Sequence, residues 1–368
     1  MTCALYEENY ERILSAIRFE KTDRCPVVPA GGGFCARVLG LSLAEYCRAM
    51  AGTADMHLKA WTSLRPMVDG VHDLVFHPDG LSGLWLSRVK VPGRDLPDNE
   101  MWQVIEEGLM TVDDYDQIIR GGFLKWREAF LKERLNDPLT GLASLVAAAR
   151  PAAEKFKEAG LVPLVGAVLT IPFENICGAR GLAGFMGDLI RRPEKVRAAL
   201  AVAGPELLEA SRQTLRHVRP LGAWIGGWRS AGGFISPGIW EDLVWAYFKP
   251  LAEMVIEEGV IPIYHLDSNW LRDLARFREL PGQKGILALD GATDILKARK
   301  ILGDHTALLG DVPAASLAFD EPAEVKTYVK RLIRELDGVG YLVGPACEMP
   351  VNARPENIVA LTEAAHEL

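Results

Sequence analysis

From residue 161 onward the chain repeats one unit: a short apolar run, a polar loop, then a stretch with helical periodicity. The runs at 161–168, 222–225, 261–265, 285–289, 307–309 and 340–344 are aliphatic and fit buried strands. Between and after them, helices are predicted at 182–190, 193–218, 237–258, 270–279, 293–302, 322–336 and 355–366. Strands joined by helices pair in parallel, and so many units in series predict a closed (β/α)8 TIM barrel, an α/β fold. Upstream, periodicity at 6–18 predicts an N-terminal helical extension, and strands are expected after Pro26 and at 74–76. Helices are expected at 43–50, 54–64 (capped by Thr53), 112–119, 123–135 and 139–160. Gly31, Gly32 and Gly33 lack the spacing of a phosphate-cradling loop and read as a flexible turn. Residues 84–108 combine alternating apolar positions (Trp85 to Val91) with turn chemistry at Pro92-Gly93 and Pro97-Asp98-Asn99, which predicts a small antiparallel β insertion over one end of the fold. No linker or low-complexity segment divides residues 1–368, so one domain is expected.

Composition narrows the function classes. A net charge of −8 argues against a nucleic-acid binder, which carries a basic face. No apolar run reaches the roughly 18 residues of a membrane span. The N-terminal stretch from Met1 to Asn9 lacks the basic-then-apolar layout of a signal peptide. The six cysteines (Cys3, Cys25, Cys35, Cys47, Cys177 and Cys347) have no framework spacing and read as reduced thiols. Together these features predict a cytoplasmic protein.

In a barrel, the polar residues that follow successive strands meet at one mouth. Here they are His77 or Asp79, Glu174, Trp228 and Arg229, His265 and Asp267, Asp290, Asp311, and Cys347 with Glu348. Asp290 stands before a glycine and Asp311 after one, so each is either a turn residue or a site residue. Glu174 is either a catalytic carboxylate or the partner of a nearby arginine. His265-Leu266-Asp267 is more telling, because residues i and i+2 of an extended segment point to one side and can reach one ion. Cys347 is either a small buried apolar residue or a third ligand. If it joins His265 and Asp267, the set is three protein ligands with an open fourth position, the pattern of catalytic zinc. A thiolate and an imidazole are too soft for magnesium or calcium. Glu348 is an alternative to Asp267 as the oxygen ligand. Trp224, Trp228, Phe234 and Trp270 fall near the expected mouth and either sandwich an aromatic substrate or pack its rim.

The chain resembles the uroporphyrinogen decarboxylase superfamily, and within it the cobalamin-dependent methyltransferases. The likeness is carried by Tyr10-Glu-Arg-Ile-Leu, Lys21-Thr-Asp-Arg-Cys-Pro26, Pro172-Phe-Glu174 with Arg180-Gly181, and Ile235-Ser-Pro237. Further along it is carried by His265-Leu-Asp267, Ile301-Leu-Gly-Asp304, Leu309-Gly-Asp-Val312, Cys347-Glu-Met-Pro350 and Pro355-Glu-Asn357. The resemblance implies a TIM barrel, a homodimer, and a zinc held by His-x-Cys after one strand plus a distant Cys in a Cys-Glu-Ile-Pro-like turn. His265 and Cys347 match those places, while Asp267 stands where that branch has its first Cys.

That departure shifts the expected chemistry. A carboxylate in place of a thiolate leaves zinc a stronger Lewis acid toward oxygen. The expectation is therefore an O-demethylating methyltransferase, acting on a small methoxylated, aromatic substrate. It would pass the methyl group to the Co(I) corrinoid of a separate corrinoid protein. His265, Asp267, Cys347 and Glu174 are the expected catalytic residues; Trp228, Arg229, Phe234, Trp270, Asp290 and Asp311 are expected to bind substrate. Three alternatives stay open: a decarboxylase-like lyase, a methyl-corrinoid methyltransferase serving a thiol or pterin, and a catalytically silent binding barrel. Against the lyase, the segment 28–37 offers one arginine, Arg37, where that family uses paired arginines on a carboxylate-rich substrate.

Overall fold

In the computed structural model, which describes residues 4–72 and 74–367, parallel strands form the centre of the molecule and helices surround them. Among the described residues ten strands occur in chain order: β1 (Gly70–Val71), β2 (Arg88–Lys90), β3 (Gln103–Ile105), β4 (Val162–Pro163), β5 (Val165–Leu169), β6 (Gly222–Gly227), β7 (Ile261–Leu266), β8 (Ile286–Leu289), β9 (Ala307–Leu309) and β10 (Tyr341–Leu342). Strands β5 to β10 form one parallel ladder in sequence order. At one end, only Leu164 separates β5 from β4, which pairs in parallel with β1. At the other end, Val28 N donates to Val343 O at 2.9 Å just beyond β10, and Val343 N donates to Pro26 O at 2.8 Å. The same segment reaches β1, because Asp69 N donates to Val27 O at 3.0 Å and His72 N to Pro29 O at 2.9 Å. The segment 26–29 thus links the two ends, and eight strand segments succeed one another around a ring, as the βα repeats predict.

Alternation along the strands sorts the side chains. Val28, Val165, Ile263, Ile286, Ala288, Ala307, Leu309 and Leu342 fill the inside of the ring. Ala223, Ile225, Tyr264, Leu266, Leu287, Leu289 and Leu308 face the helices. The helix Ala4–Ile17 buries Tyr6, Ile13 and Ile17 against the inner cluster at the strand starts. Arg12 of that helix pairs with buried Asp69 at 2.7 Å, which fastens the helix to the floor of the barrel. The opposite end, where the strands finish, is left for chemistry.

Several local expectations change. The second barrel strand is Gly70–Val71 and not 74–76, so the residue at its carboxyl end is His72. Gly70 rather than a β-branched residue stands there because a Cβ would meet Val162 O at 2.7 Å. The three glycines open the helix Gly32–Val38 instead of forming a flexible turn. A Cβ on Gly32 would lie 2.6 Å from the Tyr46 hydroxyl, so close packing and not flexibility explains that glycine. Thr53 is the first residue of its helix rather than its cap, and its hydroxyl bonds back to Met50 O. Residues 172–175 are helical, forming the first turn of Pro172–Arg180 rather than a loop. The insertion is present: β2 and β3 pair antiparallel, with Val89 opposite Val104. Among the described residues no disulfide is formed (Cys25, Cys35, Cys47, Cys177 and Cys347 are thiols), and Cys3 lies outside them. No helix among them is long and apolar enough to cross a membrane.

Candidate metal centre

Ile263 and His265 both point into the ring because they are two apart on β7, and Asp267 continues that side just past the strand. Asp267 N donates to Gly227 O at 3.1 Å, so strand pairing extends to the ligand position itself. Cys347 arrives from the loop after β10. That loop is pinned by Ala346 N to Val312 O and by Met349 N to Ala30 O, both at 2.8 Å. The three side chains converge. His265 Nε2 lies 3.5 Å from Cys347 Sγ and 3.3 Å from Asp267 Oδ1, and the sulfur lies 3.8 Å from that oxygen.

These separations can be set against a metal site. A tetrahedral zinc with about 2.3 Å to sulfur and about 2.0–2.1 Å to nitrogen or oxygen has ligand–ligand edges of roughly 3.3–3.6 Å. The observed triangle matches that set within a few tenths of an ångström. Among the described residues this is the one group of three or more His, Cys, Asp or Glu side chains placed to hold a metal ion. Burial alone would lower the His265 imidazole, but the hydrogen bonds to Asp267 and Cys347 outweigh it and raise its pKa to about 10. The pocket therefore favours a positive charge, and without a metal it takes a proton. Of the two candidate oxygen ligands, Asp267 is the one in the triangle. Glu348 Oε1 instead accepts from Gly32 N at 3.1 Å.

The other expected site residues fall into three groups. Trp270 and Asp290 stand behind the ligand loop. The Trp270 indole donates to Asp267 O at 2.7 Å, and Asp290 accepts from Ser268 N at 2.7 Å and from Ala292 N at 2.8 Å. Trp270 is fully buried, so it sets the course of the backbone at Asp267 and offers no face to a substrate. Glu174 and Arg229 form a second buried group. Glu174 accepts from the backbone of Trp228, Arg229 and Ser230 and from the Ser230 hydroxyl, the last at 2.6 Å. Burial raises its pKa against those donors. Arg229 lies 4.1 Å over the Trp228 ring and donates to Glu106 at 2.8 Å, tying the β2–β3 insertion to the loop after β6. Phe234 is solvent-exposed, and Asp311 is turned to an outer helix, where the Tyr328 hydroxyl donates to it at 3.1 Å. Burial pushes Asp311 up to about 6.

Trp224, one of the aromatic residues expected near the mouth, and His72, which was not expected there, border the triangle. Trp224 lies across Gly226, where any Cβ would meet its ring at 1.6 Å, and stacks on His265 with centroids 5.4 Å apart. Trp85 meets Trp224 edge-on at 6.1 Å. Val168 of β5, paired beside Trp224, is 53% exposed, which marks open space in this part of the barrel. His72 lies on another side, its ring tilted against His265 at 6.1 Å. Burial, reinforced by the neighbouring His265, pushes its pKa down to about 3. Placing the strand at 74–76 hides His72 in the sequence; the signal was Gly70-Val71 followed at once by a polar residue.

Residues 126–368 match the family described as uroporphyrinogen decarboxylase (URO-D), more than half of the chain. The chain belongs to that family. A uroporphyrinogen decarboxylase of Hahella chejuensis (strain KCTC 2396) is 25% identical over 144 residues, which cover 37% of this chain and 39% of that relative. Among solved structures, a methyltransferase from Methanosarcina mazei superposes with a TM-score of 0.74 over 98% of both chains at 16% identity. The fold is thus shared along the whole length.

Proposed function

We propose that the protein is a zinc-dependent methyltransferase that takes the methyl group of a methoxylated aromatic compound and delivers it to the Co(I) corrinoid of a separate protein. The observation that carries this reading is the triangle of His265, Asp267 and Cys347, whose edges suit a tetrahedral cation with one position open to substrate. Bound zinc would supply Lewis acidity toward the ether oxygen. The chain's own residues do the remaining work. Asp267 contributes an oxygen where thiolate-rich sites have sulfur, and Trp270 and Asp290 hold its loop. Trp224, half-buried and paired beside the exposed Val168, offers an aromatic face suited to a planar ring, and Trp85 backs it edge-on. In the transfer, the methyl–oxygen bond breaks and a methyl–cobalt bond forms. The oxygen keeps the bonding pair and leaves as a phenol once it gains a proton.

Two features favour this over a decarboxylase. A carboxylate-rich substrate calls for cations at the mouth, and the segment 28–37 supplies a single arginine, Arg37. A cation site would also be superfluous for that chemistry. The hard oxygen ligand likewise favours an ether substrate over a thiol acceptor.

The test is metal analysis of the purified protein, followed by mixing with methoxybenzenes and a reduced corrinoid protein. Stoichiometric zinc and conversion of the Co(I) spectrum to that of methyl-cobalt are expected. A protein that binds zinc but never changes the cobalt spectrum would be a silent binding barrel, and decarboxylation of a porphyrinogen without zinc would return the lyase.

A further inference from the structure

We propose that His72 holds the His265 imidazole in its metal-binding orientation through one buried water that bridges His265 Nδ1 and His72 Nε2. Four observations point there. Each of those two nitrogens is buried and has no hydrogen-bond partner among the described residues. They belong to neighbouring rings, tilted by 42° with centroids 6.1 Å apart. His72 is itself fixed, since its backbone N donates to Pro29 O at the end of β1 and its side chain is more than nine-tenths buried. Finally, the far nitrogen of His265 is already committed, facing Asp267 at 3.3 Å and Cys347 at 3.5 Å.

The chemistry comes from the valence of an imidazole. If Nε2 gives its lone pair to a cation, the proton sits on Nδ1 and needs an acceptor. A neutral His72 supplies one acceptor nitrogen. Rings this far apart leave the nitrogens beyond the roughly 2.7–3.2 Å of a direct hydrogen bond. One water with polar partners on both sides is the usual way a protein satisfies such a pair. His72 is not a fourth ligand, because it is outside the group whose donor atoms lie within 4.8 Å of one another. It is a positioning residue, acting on the metal only through His265. Outer partners of this kind are worth about 10–100-fold in metal affinity.

The zinc part of this inference rests on the proposed function; the bridge does not, and the experiment separates them. Wild type, His72→Phe and His72→Gln are compared, the glutamine variant restoring an acceptor in a side chain of similar reach. In metal-free protein labelled with 15N-histidine, wild type and His72→Gln are expected to show a slowly exchanging His265 Nδ1–H signal that His72→Phe lacks. Zinc affinity, measured by competition with a coloured chelator, is expected to fall about 10–100-fold in His72→Phe and to recover largely in His72→Gln. If the phenylalanine variant keeps both the signal and the affinity, the bridge is refuted. If wild type takes up no zinc, the proposed function fails, and the proton signal alone still decides the bridge.

Discussion

The Cys347 sulfur lies 3.5 Å from His265 Nε2 although 82 positions separate the two residues in the chain. No local motif joins them; strands β8, β9 and β10 and their connecting helices intervene, and closure of the ring brings them together. Cys347 lies in the loop past β10 and His265 is the last inward-pointing residue of β7, so their loss should spare the fold. His265→Ala and Cys347→Ala are expected to lower zinc affinity by more than about a hundredfold, beyond the loss typical of an outer partner. Turnover should vanish while thermal unfolding changes little. Metal analysis with circular dichroism checks this, and a fully active Cys347→Ala would show that the site is misplaced.

Zinc uptake should depend on pH through His265. Its imidazole holds a proton with a pKa of about 10 when no metal is present. Zinc must displace that proton, so raising the pH removes a competitor and tightens binding. An increase of about tenfold per pH unit, or more, is expected between roughly pH 6 and 9, with proton release on binding. The sign for metal-free stability is opposite. A folded pKa above the ordinary 6.5 contributes stability at acid pH that fades as pH rises towards 10. Competition titrations in buffers of different ionisation enthalpy read both quantities, and a flat affinity profile would contradict the idea.

Much of this site was legible in the sequence because strand alternation is strict. Once 261–265 is a strand entering the barrel, His265 and Asp267 must share a side, and the βα count places Cys347 at the same rim. Legibility failed where tertiary packing decided the outcome. Gly70-Val71 is too short to outscore Leu74-Val75-Phe76 as a strand, yet only the former can lie against β4. That error concealed His72. Nothing in the spacing of Trp270 and Asp290 says that one turns its indole to a backbone carbonyl and the other caps a turn.

Asp267 offers a test of what a carboxylate contributes at this position in place of a thiolate. Asp267→Cys would give the zinc a second thiolate in nearly the same place, 3.8 Å from Cys347 in the parent geometry. Sulfur binds zinc more tightly and donates more charge, which blunts the ion's pull on an ether oxygen. Zinc affinity is expected to rise while demethylation falls by at least about tenfold, roughly 1.4 kcal/mol of barrier. Turnover equal to wild type would detach the carboxylate from the choice of substrate.

Away from the mouth, acid stability should be governed in part by Asp114. Its carboxylate is fully buried and accepts from Arg134 at 2.8 and 2.9 Å, from the Trp126 indole at 2.9 Å and from Thr111. Burial opposes the charge, but these donors prevail and hold its pKa at about 2, below the ordinary 3.8. A depressed carboxylate contributes stability above its unfolded pKa and loses it as pH falls through the folded one. The contribution at neutral pH is about 2 kcal/mol, lost between roughly pH 4 and 2. Asp114→Asn should remove that acid transition and destabilise the protein at pH 7 by about 2–3 kcal/mol. Urea midpoints at several pH values check it.

Glu174 poses the sharpest choice between a reacting group and a scaffold. A carboxyl group that donates a proton during catalysis needs an oxygen free to face the substrate. Here one oxygen receives Trp228 N at 3.0 Å, Ser230 N at 2.9 Å and the Ser230 hydroxyl, and the other receives Arg229 N at 3.3 Å. Those bonds shape the turn that carries Arg229 to Glu106 and so set where the β2–β3 insertion sits. In Glu174→Gln an amide N–H₂ must point at backbone N–H groups, leaving at least one donor without an acceptor. The expected cost is about 2–3 kcal/mol of stability, with faster amide exchange at residues 228–230. Activity should fall with no change in the shape of its pH profile, because no titrating group of the reaction has been removed. A variant of unchanged stability that loses one limb of that profile would instead make Glu174 the proton donor.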